Sequence, residues 1–171
     1  PAVAQAHHRD AHVRGLGALF NLVLDEHLER NLRSEDPELG NDLHVLVAYA
    51  FRHARREIPI AQVVDALGHT MPQLIGVTLT PGVTAGHVRL SARQIMAIIE
   101  RTGGRFGRFM RALRMGLGTR DGDPVIAEAL QCFGKGFRHL DADGLWQVTE
   151  RLAAIFGEEV RQATLLDLGW I

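Results

Sequence analysis

Thr70 and Gln73 stand three residues apart, the spacing of a capping box. In that motif the threonine oxygen takes the backbone N–H at Gln73, and the glutamine reaches back to the N–H of Thr70. Gly68 closes the apolar helical pattern just before it. The stretch Ile58 to Leu79 therefore reads as a short strand at 58–60, a helix at about 61–67, a tight glycine-bearing turn and a second helix at about 71–79. Two short helices around such a turn form the helix-turn-helix layout, whose second helix can enter the major groove of DNA. There Gln73 can bond adenine bidentately, and Thr70 with the N–H groups of the helix start can meet phosphate. The plainer reading of the pair is a helix cap beside a solvated side chain. No Arg or Lys lies between Arg56 and Arg89, so this helix brings no cation to the phosphates that supply much of DNA affinity.

Arg89 and Arg93 follow, on a strand edge and at the next helix start. They contact a DNA backbone or face water. Arg101, Arg105, Arg108, Arg111 and Arg114 make a drifting basic stripe, which reads first as the wet face of an amphipathic helix. His7, His8 and His12 include an i,i+4 pair, a spacing that can ligate a metal, but no nearby Cys offers a third ligand. They read as surface histidines. Cys132, between Leu130 and Phe133, reads as a buried structural thiol; a redox switch needs exposure and a lowered pKa.

Motifs for catalysis are missing from the sequence. It has no Gly-x-Ser-x-Gly, no His-Glu-x-x-His and no Gly-rich phosphate loop, and its Gly103-Gly104-x-x-Gly107 cluster does not follow a strand. Asp141-x-Asp143-Gly144 has Leu152 where a calcium loop needs its acid. The expectation is a binding protein with no catalytic residue, metal or cofactor, and not an enzyme. Its nine histidines leave an enzyme, or a metal- or haem-binding helical protein, as a more distant alternative.

These residues must be held by helices. Val13, Leu16, Phe20, Val23, Leu24, Leu28 and Leu32 recur at steps of three and four, predicting one long amphipathic helix over 8–33. After the turn-rich Ser34 to Gly40, Asp42 is expected to cap a helix to about Arg55 with Leu43, Leu46, Val47, Ala50 and Ala54 on one face. Thr80 to Gly86 is a loop, and His87 to Leu90 alternates as an exposed strand does. Ser91-x-x-Gln94 is a second capping box. It opens a long segment through Ile95, Ile98, Ile99, Phe106, Phe109, Met110, Leu113 and Leu117, with glycines that bend it. Asp123-Pro124 starts a helix to about Leu140. Asp141 or Asp143 starts the last one, with Leu145, Val148, Leu152, Ile155 and Phe156 inward. The tail, with Leu165, Leu166, Leu168, Trp170 and Ile171, must pack on the body or on another chain.

At 171 residues, 46% of them apolar and 23% charged, the chain has the makings of one globular domain. No apolar run of 18 residues predicts a membrane span. A single cysteine allows no internal disulfide and fits a cytoplasmic location. A formal net charge of −1 gives no global pull toward nucleic acid, so any such contact needs a local basic face.

The element order adds a family. Val63-Val64-Asp65-Ala66-Leu67-Gly68 matches a Leu-Ala-x-x-Leu-Gly helix end. Thr70 stands at the cap of the recognition helix, with Leu74 and Val77 at its buried positions, and Val88 to Gln94 matches a wing strand running into a long helix. On these motifs the chain resembles the MarR (multiple antibiotic resistance regulator) family of winged-helix regulators, although Leu79 to Val88 is shorter than the usual two-stranded wing. The resemblance implies a mainly α fold, a winged helix-turn-helix with long N- and C-terminal dimerisation helices. Residues 1–171 would be one domain, with 58–90 as the DNA-binding lobe and 1–33 and 91–171 as the dimerisation region. It implies a homodimer on double-stranded DNA, contacting it through Thr70, Met71, Gln73, His87, Arg89 and Arg93, and regulating transcription. A small-molecule effector would sit near Phe20, Leu24 and Phe51. The alternative is a helical ligand-binding or protein-interaction module on a degenerate winged helix that does not bind DNA.

Overall fold

Side-chain caps start several of the helices. In the computed structural model, which describes residues 2–68, 71–115 and 122–160, the chain is mainly helical with one small two-stranded antiparallel sheet. Helix α1 is Ala2–Val13 and α2 is Gly17–Glu35. The single helix expected over 8–33 is broken because Gly15 takes a positive φ of 70° and Leu16 N–H bonds back to the Ala11 carbonyl. The break also resets the buried face. Leu19, Phe20, Leu22 and Val23 are inside, whereas Val13 and Leu28 are exposed.

Helix α3, Pro37–His53, starts six residues earlier than a cap at Asp42 would place it. Asp36 caps it by accepting from Leu39 N–H, and Pro37 sits at the first turn, where its missing N–H costs nothing. Gly40 lets α3 lie directly on Arg33 of α2, since a Cβ there would be 2.7 Å from the Arg33 Cα. Strand β1, Arg55–Pro59, pairs antiparallel with β2, His87–Ser91, in the register Glu57 to Arg89 and Ile58 to Val88. Between them run α4, Ile60–Leu67, and a 3-10 turn, Met71–Ile75. The loop returns with Ile60 N–H donating to the Gly86 carbonyl.

Ser91 and Gln94 form the expected capping box at α5, Ala92–Thr102. The long segment after it bends at Gly103 into α6, Gly104–Met115. Glu159 accepts the Phe106 N–H at 2.7 Å, capping α6 from far along the chain. Asp123 caps α7, Pro124–Gln131, which is shorter than expected because a turn region and a 3-10 turn, Phe137–His139, replace its second half. Asp141 caps α8, Ala142–Phe156. Thr70, Leu117 and the apolar tail lie outside the described residues.

The core is continuous from α2 through α5 and α6 to α8. Its densest part is aromatic: Phe109 lies 6.0 Å from Phe106, 6.0 Å from Phe133 and 5.0 Å from Phe156. Gly107 makes the α5–α6 bend possible, since a Cβ there would run into the Ile99 carbonyl and the Glu100 backbone. Ala in place of Gly normally favours a helix interior by up to about 1 kcal/mol. Here the clash reverses the sign, and Gly107→Ala should destabilise by roughly 1–3 kcal/mol. A lowered urea midpoint checks this; a raised one contradicts it.

The Asp123 carboxyl is held below its ordinary pKa. The Val125 N–H is the largest cause, and Arg105 and Arg108 add to it against some desolvation. A depressed folded value means its contribution is present above the unfolded pKa and fades as pH falls through the folded one. An NMR titration should place the Asp123 midpoint below that of a peptide aspartate; a midpoint at or above the peptide value contradicts the cap.

Candidate ligand-binding cleft

Helices α2, α3, α5 and α6 converge on a cleft of about 450 Å³. Each supplies a defined piece. Leu22 of α2, Phe51 and Val47 of α3, Met96 of α5, and Met110 and Leu113 of α6 form an apolar wall. Met96 and Met110 are almost fully buried, and as polarizable, unbranched side chains they suit an irregular apolar surface. The helical spacing of His44, Val47, Ala48 and Phe51 turns one face of α3 into this cleft.

Polar groups ring the wall. Glu29 is bonded by Arg33. Glu26 is bonded by Arg30, whose guanidinium also lies over the Phe133 and Phe137 rings. Arg114 is paired with Glu100, which ties α6 back to α5. Arg52 and Arg93 complete the rim, both exposed. Among the described residues neither has a carboxylate partner within ion-pair distance. The acids at the rim are thus already neutralised, and the two uncommitted charges are positive. Arg93 also sits in the first turn of α5, where the helix dipole disfavours a cation and favours an anion. The cleft has the size and make-up of a small-molecule site, apolar with a few placed charges. It can hold an apolar body and bind an anionic head.

Two of the sequence-chosen residues meet here: Phe51, read as a ligand contact, and Arg93, read as a DNA contact. Phe20 does not line the cleft. It is 1% exposed, edge-on to Trp146 at 5.4 Å and against His8 at 5.0 Å. Leu24 is half-buried against the core and is likewise not in the cleft wall. Periodicity marked Met110 as apolar-face but gave no hint that it shares a cleft with Met96 and Arg52, because the cleft exists only where four separate helices meet.

The expected recognition helix over 71–79 takes another form. Its first five residues are the 3-10 turn Met71–Ile75, and the rest is a turn and irregular chain. Pro72, Ile75, Val77 and Leu79 are buried. Gln94 reaches across to donate to the Ile75 carbonyl at 3.0 Å, so the residue of the α5 capping box also straps this segment to the body. Gln73 and Thr78 face out, and Thr70 and the side chain of Met71 lie outside the described residues. Pro72 one residue into the segment and alternate apolar residues from Ile75 to Leu79 carried the signal: the period is two, not 3.6. His87 and Arg89 are exposed on the outer face of the strand pair, Arg89 donating to Glu57 at 3.2 Å.

Several of the other chemistry-bearing residues have structural occupations. His7 stacks on Trp146 at 5.3 Å and bonds Asp143 at 2.7 Å. Arg105 and Arg108 both bond Asp123. Among the described residues, no three His, Cys, Asp or Glu side chains converge as a metal site, and no helix is long and apolar enough to cross a membrane. Cys132 is half-buried, and burial raises its thiol pKa. Iodoacetamide should therefore alkylate Cys132 more slowly than free cysteine at pH 8; faster alkylation contradicts this placement. No protein-family model, curated protein or solved structure matches the chain.

Proposed function

We propose that this protein is a helical ligand-binding module that takes a small amphipathic anion into the cleft between α2, α3, α5 and α6. One observation carries the reading: an apolar wall of Phe51, Met96, Met110 and Leu113 beside two arginines, Arg52 and Arg93, that no described carboxylate neutralises. An apolar tail gains by leaving water at about 25 cal/mol per Å² buried. A carboxylate, sulfonate or phosphate head then meets guanidinium donors that match it bidentately. The winged-helix part acts in this reading as a degenerate frame, since the segment expected to enter DNA is strapped down by Gln94. Calorimetric titration with octanoate and with octanol, equal in tail length and different in charge, tests it. Saturable binding that favours octanoate supports the reading, and equal or absent binding of both overturns it.

A second reading is a homodimeric, MarR-like transcriptional regulator on double-stranded DNA. It is favoured by the order β1, α4, 3-10 turn, β2 and by the exposed Arg55, His87 and Arg89 on the outer face of the strand pair. Fluorescence anisotropy with a duplex from the protein's own promoter region discriminates. Binding at low salt that falls steeply as salt rises favours DNA; none at low salt leaves the ligand-binding module.

A further inference from the structure

Helix α3 turns an apolar face away from the body. Val45 and Leu46 are 65% exposed and Tyr49 is 63% exposed; Leu39 and Ala50 extend the stripe. These residues lie opposite the face formed by His44, Val47, Ala48 and Phe51, which lines the cleft. A contiguous row of large apolar side chains in water marks an interaction surface.

The charges around the stripe identify what covers it. Glu38 and Asp42 lie in its first half, Arg52 and His53 at its end. Two copies of α3 packed antiparallel about a two-fold axis between Val45 and Leu46 bring Glu38 of each to His53 of the other. Asp42 of each then meets the Tyr49 hydroxyl of the other, a donor for its carboxylate. Leu46 meets its own copy at the centre. A parallel pairing would set like charges together. An isologous interface needs this kind of self-complementarity, and the sequence of α3 has it about a single point.

We infer that the outward face of α3 binds a second copy of this chain, antiparallel, forming a two-fold dimer. At 1.5 Å per residue the 17-residue helix is about 25 Å long. One helix face falls short of the roughly 800 Å² per partner of a standard interface, so the association is reversible and concentration-dependent. The cleft faces the other way on α3 and stays open in the dimer. The inference is independent of what the cleft binds.

Cysteine cross-linking in a Cys132→Ser background tests the geometry. Leu46→Cys should give a disulfide dimer under mild oxidation, because residue 46 faces its own copy. Leu39→Cys should not, because its copies lie about 20 Å apart along paired helices at 1.5 Å per residue. Sedimentation of the unaltered protein should show a monomer–dimer equilibrium. Leu46→Arg should leave only monomer with unchanged circular dichroism, each chain contributing one repulsive charge at the axis. Glu38→Arg should weaken the dimer, and adding His53→Glu should restore it. A protein that stays monomeric at all concentrations overturns the inference. So does a dimer indifferent to Leu46→Arg, or equal cross-linking at positions 39 and 46.

Discussion

Arg93→Glu is expected to weaken octanoate binding by roughly 10- to 100-fold while leaving octanol binding within about twofold. A hydrogen bond to a charged group contributes about 1.5–3 kcal/mol, and each 1.4 kcal/mol is about tenfold in affinity. Arg93 is exposed on the rim, so solvent screening moves the effect toward the lower end. Reversing the charge also sets a carboxylate beside the bound head. The fold should not respond, since Arg93 has no described ion-pair partner and a Glu in the first turn of α5 suits the helix dipole. Arg52→Glu should act in the same direction. If Arg93→Glu weakens octanoate and octanol equally, the arginine shapes the cleft and does not bind an anion.

Phe109→Ala carries the largest expected loss of stability. Phe109 is fully buried, and its ring is bounded by Phe106, Phe133 and Phe156 from α6, the segment after α7, and α8. The three remaining rings cannot collapse into the space left by the fourth without moving three elements at once. The cost is therefore expected at about 3–5 kcal/mol, the range for truncating a buried aromatic, and Tm should fall by roughly 10 °C. Phe109→Leu should cost a fraction of this. Urea unfolding followed by circular dichroism measures both. A loss under about 1 kcal/mol would mean that the rings are not one packed unit.

Caps were the most legible part of the sequence. Ser91 with Gln94, Asp123 before Pro124, and Asp141 each start a helix as their side chains dictate, because a cap is a local hydrogen bond readable over four residues. The inward residues of α5, α6 and α8 were legible for a related reason: Ile95, Ile98, Ile99, Phe106, Phe109 and Leu152 repeat at helical spacing and are all buried. The failures were of two kinds, one local and one not. Asp42 looked like a cap, but Asp36 with Pro37 starts α3 sooner. Leu46 and Ala50 were expected inward with Leu43, Val47 and Ala54, yet the neighbours of α3 pack to one side of that face, so Val47 lines the cleft, Leu43 and Ala54 are half-buried, and Leu46 and Ala50 are left in water.

The site was half legible. Phe51, read as a ligand contact, lines the candidate cleft, and Arg93, read as a DNA contact, stands at its rim, since nothing in the neighbourhood of Arg93 along the chain tells a DNA surface from a cleft. Met96, Met110 and Arg52 needed four helices to be assembled before their proximity meant anything. The segment after Gly68 misled because a cap signal and a helix-turn-helix spacing outweighed Pro72 and an alternating pattern.

Methionine methyl groups offer the most direct view of the cleft. With methyl-13C methionine incorporated, the Met96 and Met110 signals report on its wall without any substitution. Titration with octanoate should shift both signals saturably, octanol should shift them less at equal concentration, and Arg93→Glu should largely remove the octanoate response. Octanoate that binds while both signals stay still would place the ligand elsewhere and contradict the assignment of this cleft.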